Sequence, residues 1–208
     1  GENCIYSNIN NKIFLGGGGG AGHENDGVST GGVSGGGVIV IRTGGSILGN
    51  GNFIMSNGND NLMLAGNDGQ GGGGAGGTVL IDACSTSSLT ISVKGGNGGT
   101  DNFSGPDCHG KGGGGGGGII WTSSTLSYNS FLNGGNPGVF TNPASQCFNT
   151  SNGATTGQSG GTLTGLVIPG AIPLVANNSF TLNTSSSGVG NNATASGTLT
   201  TTLASPVL

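Results

Sequence analysis

Charge is nearly missing from this chain. Only 6% of its 208 residues are Asp, Glu, Lys or Arg, where about a quarter is usual. The four cations, Lys12, Arg42, Lys94 and Lys111, are scattered, and the net charge is −4. Nucleic-acid binding draws on several clustered cations to release counterions. No nucleic-acid partner is therefore expected, and no anionic membrane surface. Aromatic residues make up 5%, which leaves few rings for a sugar-binding platform. The longest apolar stretch, residues 166–176, is broken by Pro169, Gly170 and Pro173. It is too short to span a bilayer, so no membrane insertion is expected. No window carries the i, i+3, i+4 stripe of an amphipathic helix.

Glycine fills the space these absences leave. It supplies 51 residues, and with 6 prolines the composition falls where disorder is the usual outcome. Disordered chains, however, generally stay soluble through charge, which this one lacks. Apolar runs also recur. Val38-Ile39-Val40-Ile41, Thr78-Val79-Leu80-Ile81 and Ile119-Ile120-Trp121 begin about forty residues apart, each directly after a glycine run. Each is followed by a second, partly apolar run (residues 52–56, residues 89–94 and Phe131-Leu132) that ends in Asn and Gly. A fixed period of this kind signals a repeat architecture. The first runs are continuous rather than alternating, which predicts strands buried on both faces. Ile13-Phe14-Leu15 reads as the tail of a preceding repeat.

The expected fold is all-β: solenoid-like repeats of short strands with polyglycine segments, plus an extended or β-rich C-terminal part. The domain reading is a glycine-rich repeat domain over residues 1–140 and a turn-rich, Ser/Thr-rich segment over 141–208. Within that first part, the polyglycine runs are best read as packed layers in a polyproline-II-like conformation. That conformation forms no internal hydrogen bonds and must bond to neighbours. Flexible hinges are the other reading. The tail is either a spacer or a strand donated to a partner's sheet. Thr198, Leu199, Thr201 and Leu203 are its candidate assembly residues, and residues 180–208 are expected to dock on a neighbouring copy.

Chemistry-bearing motifs are weak. Gly105 to Lys111 has P-loop spacing, yet Gly112 stands where Ser or Thr should hold Mg²⁺. Two Gly-x-Ser-x-Gly matches, around Ser34 and Ser159, lack the strand and helix a nucleophile elbow needs. His23 and His109 are the only histidines and read as loop residues. No catalytic residue and no cofactor are expected. Calcium is the one ion to weigh, because Asp26, Asp60, Asp68, Asp101 and Asp107 lie in Gly/Asn-rich loops. Turn chemistry explains these carboxylates more simply.

Cys4, Cys84, Cys108 and Cys147 contain no C-x-x-C pair, which argues against zinc. An even count points to disulfides in an oxidising compartment, with three connectivities open. A spacing of about one repeat favours Cys108–Cys147, and all four are expected to be oxidised. Sequons at Asn102, Asn149, Asn177, Asn183 and Asn192 are glycosylation candidates and fit the same setting. The chain opens at Gly1 without Met, as a mature product or an excised segment would.

Taken together, the glycine runs, Val38-Ile39-Val40-Ile41, Ile47-Leu48-Gly49-Asn50-Gly51, Asn57-Gly58 and Gly95-Gly96-Asn97-Gly98-Gly99 resemble the glycine-rich repeat domains of large secreted microbial cell-surface proteins of Bacteroidota and archaeal type. The resemblance covers about residues 13–140. A looser likeness is to phage tail-tip adhesins built on packed polyglycine helices. The departures are the insertion at residues 23–30 and no recognisable secretion or anchoring domain. The resemblance implies an exported, non-catalytic structural part of a surface layer or filament, whose partners are copies of itself or other surface proteins. An adhesin that binds glycans or another cell through its loops is the alternative.

Overall fold

The computed structural model describes residues 12–25, 27–168 and 180–181. Among them there is no helix, and ten short strands pair in parallel as a β-solenoid of about three turns. The first sheet stacks β1 (Val38–Arg42), β4 (Thr78–Asp82), β7 (Ile119–Thr122) and β9 (Gly161–Leu163). Val38 lies against Thr78, and Thr78 against Ile119. The three apolar runs are therefore equivalent positions of successive turns. A second column pairs β2 (Ser46–Leu48) with β5 (Ser85–Ser87), and a third stacks β3 (Phe53–Met55), β6 (Thr90–Ser92) and β8 (Asn129–Phe131). Between β2 and β3 the chain corners at Asn50 and Gly51, with φ of 49° and 80°. Asn and Gly tolerate that left-handed region at little cost.

Side chains alternate along each strand, and the two faces of the first sheet have different fates. Inward-facing Ile39, Ile41, Val79, Ile81 and Ile120 meet Ile47, Ile54, Leu89, Ile91 and Val93 in the main core. The outward row is Val40, Leu80, Trp121 and Leu163, in register. Leu166 packs over Leu80 and Trp121, held by its N–H to Thr122 O and by Trp121 Nε1–H to Thr164 O. So β4 and most of β7 are buried on both faces as expected. In β1 the expectation fails, because Val40 is 55% exposed. The covering segment reaches turns two and three and leaves the first turn bare.

Two other expectations change. Ile13-Phe14-Leu15, read as the tail of a preceding repeat, forms no strand. The chain there enters an extended tract that lies across the first two turns, with Phe14 O accepting from the Thr78 hydroxyl. In the tail, β10 (Phe180–Thr181) pairs with Ile47 and Leu48 of its own chain. The expected donation to a neighbour thus begins instead with an in-chain pairing, because the first turn leaves one edge of β2 open. Thr198, Leu199, Thr201 and Leu203 lie outside the described residues.

Candidate functional site: a glycine lattice with two open faces

Between the strand columns the chain runs as glycine-rich tracts. Residues 30–37, 69–77, 111–118 and 155–161 form one layer, with successive turns side by side. Residues 56–61, 93–99 and 132–138 form a second layer. The bonding of residues 69–77 gives the rule. Gln70, Gly73 and Gly76 donate to Gly110, Gly113 and Gly116 of the next turn. Gly69, Gly72 and Ala75 donate to His23, Gly20 and Gly17, whereas Gly74 and Gly77 donate to Asn59 and Ser56. Residues three apart point to the same neighbour and successive residues to different ones, as a left-handed helix of three residues per turn requires. The tracts are packed layers, not hinges.

Contacts this close exclude side chains. A Cβ on Gly115 would run into Gly74 O, and one on Gly118 into Gly77 O. Polar side chains then lock the turns in register. Asn57 Oδ1 accepts from the Ser92 hydroxyl at 2.7 Å and from Lys94 N–H at 2.8 Å. Asp60 Oδ1 accepts from Asn97 N–H at 2.6 Å, and Asn97 Oδ1 accepts from Asn136 N–H one turn further on.

Three of the carboxylates weighed for calcium, Asp60, Asp68 and Asp101, are engaged by groups of the protein. Asp68 is fully buried and accepts from Asn25 and Val28 N–H, each at 3.0 Å, which pins the inserted loop. Asp101 is fully buried at a bridge between Ala65 and Phe140 of the neighbouring turns. Its Oδ2 accepts from Lys111 Nζ at 2.6 Å, and the ammonium sits 3.6 Å from the Phe140 ring centroid. Burial pulls the Lys111 pKa below its ordinary value, opposed by the hydrogen bond and charge of Asp101. Asp107 is exposed and Asp26 lies outside the described residues.

At this end of the lattice Cys108 and Cys147 form a disulfide, with their Cα atoms 6.0 Å apart. His109 bonds Asn67 Oδ1 through Nε2, so it ties two stacked loops together. Cys84 is a free thiol that donates to Gly44 O, which corrects the expectation that all four cysteines are oxidised. It sits at the corner after β4, in a different stretch of the turn from the loops that hold the disulfide. Cys4 lies outside the described residues. Asn102 and Asn149 of the sequons are exposed, whereas Asn177, Asn183 and Asn192 fall outside the description.

Each face of the lattice carries a groove. One, of about 600 Å³, runs between residues 15–21 and 111–118 and is floored by glycine backbone. The other, of about 610 Å³, is polar and is lined by Asn57, Asp60, Asn97, Asn133 and Asn136. Phe131 forms its edge and stacks on Phe53, with centroids 6.5 Å apart. Sequence alone does not reveal this ring pair, because the rings are 78 residues apart, 131 against 53, and meet only across stacked turns.

Fold and site together define a parallel β-solenoid whose turns are welded by a polyglycine lattice. No protein-family model matches the chain, and no curated protein or solved structure matches it either.

Proposed function

We propose that this chain is a non-catalytic structural component of an extracellular surface layer or filament, assembled through contacts between copies. The supporting observation is the lattice itself. It holds the N–H groups of residues 69–77 and most of those of residues 112–118 in hydrogen bonds to neighbouring tracts, which makes a stiff body from a chain with 32% hydrophobic residues. The ionisable groups that do carry contacts serve this body, as Asp68, Asp60 and the Asp101–Lys111 pair do. The disulfide fits an oxidising compartment. No helix among the described residues is long and apolar enough to cross a membrane. Electron microscopy of the native material tests the reading. Filaments or sheets are expected, and monodisperse single chains at high concentration would overturn it.

One observation favours adhesion as a second reading. The stacked Phe53 and Phe131 edge a groove of Asn side chains, and a ring beside amide groups is chemistry that recognises sugars. Glycan-array binding that disappears in Phe131→Ala would establish it. An array on which the native protein binds nothing would end it.

A further inference from the structure

The tract at residues 16–22 sits over turns one and two by a regular rule. Gly16, Gly19 and Gly22 donate to Gly36, Val33 and Thr30 carbonyls at 2.8, 2.8 and 2.9 Å. In return Ala75, Gly72 and Gly69 donate to the carbonyls of Gly17, Gly20 and His23 at 2.9, 2.8 and 2.9 Å. Moving one turn along the solenoid gives the matching groups over turns two and three. They are the carbonyls of Gly76, Gly73 and Gln70 and the N–H groups of Gly116, Gly113 and Gly110. Those carbonyls accept from no described donor, and those N–H groups give to no described acceptor. Five of these residues line the glycine-floored groove, with Gly116 buried, and Gly110 precedes the lining residue Lys111. Buried polar groups left unpaired are costly, so the groove has bonding capacity matched to one more extended strand.

We propose that this strand is residues 16–22 of a second copy, each copy laying its tract in the groove of the other. The occupant must carry glycine at every third position on its inner side, because a Cβ on Gly16, Gly19 or Gly22 would strike the backbone beneath. The undescribed parts of this sequence carry Gly1, Gly170, Gly188, Gly190 and Gly197, of which no two are three apart. In residues 16–22 the row Gly16, Gly19 and Gly22 is held by its own chain, and the row turned outward presents Gly17 and Gly20, three apart, where a Cβ would touch nothing within 4 Å. Direction also agrees. The tract runs antiparallel to residues 69–77, and a two-fold axis along the tracts keeps that sense for the partner's copy. The result is an isologous dimer in which two tracts share one middle layer. The choice of a second copy rests on the self-assembly reading above; the bonding pattern of the groove does not.

Sedimentation of the wild type, Gly113→Val and Gly20→Val over a concentration series tests it. A Cβ on Gly113 has Thr155 O at 3.7 Å as its nearest contact, so the single chain accommodates the change while the groove is blocked. The wild type is expected to dimerise, with both variants at least tenfold weaker and melting like the wild type. Dimers of equal strength in both variants would overturn the groove while leaving self-assembly standing. A wild type that stays monomeric would overturn both readings. A synthetic peptide of residues 13–24 is expected to compete with dimerisation. If it binds a protein that never self-associates, the groove takes some other glycine-rich strand and the second copy is wrong. Amide exchange of Gly113 and Gly116 in the wild type gives a readout that needs no variant. Protection should fall on dilution to monomer, and protection indifferent to concentration counts against the proposal.

Discussion

Lys111 is one of four cations in the chain, and the fold buries it. Its side chain and that of Asp101 are both 0% exposed, 2.6 Å apart, with the Phe140 ring under the ammonium. A buried pair of this kind adds little over an apolar filling, but removing one member strands the other charge. Lys111→Met should therefore cost about 3–5 kcal/mol in chemical denaturation. Adding Asp101→Asn should recover part of the loss, since no lone charge remains. A single variant as stable as the wild type would show that the pair does not hold the loops. Tyr128 carries the pH dependence that is easiest to isolate. It packs against the main core, and burial raises its pKa above the ordinary value of 10.0. A group whose folded pKa is raised contributes stability that is complete below its unfolded pKa and is lost as pH rises through the folded value. Against Tyr128→Phe, the wild type should hold a constant stability difference up to about pH 10 and lose ground above it. Parallel stability curves across that range would refute the assignment.

At the scale of the element, the tracts invert the usual cost of glycine. An isolated run is expensive to order because glycine has the most backbone freedom to lose. Here the expense is met by hydrogen bonds to three neighbours and by contacts that any side chain would forbid. Gly115→Val should cost about 4 kcal/mol or more, in the range reserved for core disruption, because its Cβ would overlap Gly74 O. Gly31→Ala, whose Cβ would meet nothing within 4 Å, should leave the melt unchanged. Equal melts for the two would return the tracts to hinges. The contrast also explains what the sequence could reveal. The strand columns were legible because Val38, Thr78 and Ile119 recur at one period with a glycine lead-in. The phase of the lattice was not, since a run of seven glycines looks the same at every residue. The short Ser46–Leu48 and Ser85–Ser87 strands were harder to see, because each is three residues long and the second is all Ser and Thr; a Ser46–Ser85 side-chain bond at 2.7 Å joins them. Asp101 and Lys111 gave no sign either, because only the stacking of loops from successive turns closes a dry space around them.

At the scale of the whole molecule, a solenoid is a one-dimensional stack in which each turn is stabilised by the turns beside it. Stability should then be graded along the stack rather than uniform. The middle strand β4 has β1 on one side and β7 on the other, with all of Thr78, Val79, Leu80 and Ile81 buried. Among the described residues the first strand β1 pairs with β4 alone, and its outward Val40 is 55% exposed. The open edge of the first turn, where β10 reaches β2 by two residues, adds little to hold it. Exposed backbone hydrogen bonds and thin apolar cover mark regions that open by local fluctuation, whereas the best-covered elements open only with the whole fold. Native-state amide exchange should therefore be slowest at Val79, Leu80 and Ile81 and distinctly faster at Ile39, Val40 and Ile41. The glycine amides that bond between turns, such as Gly73, Gly76 and Gly115, should exchange as slowly as the strand they adjoin, because the lattice and the sheets share one core. Fast exchange at those glycines beside slow exchange in β4 would separate the two, and the lattice would then be a covering on the solenoid rather than its frame.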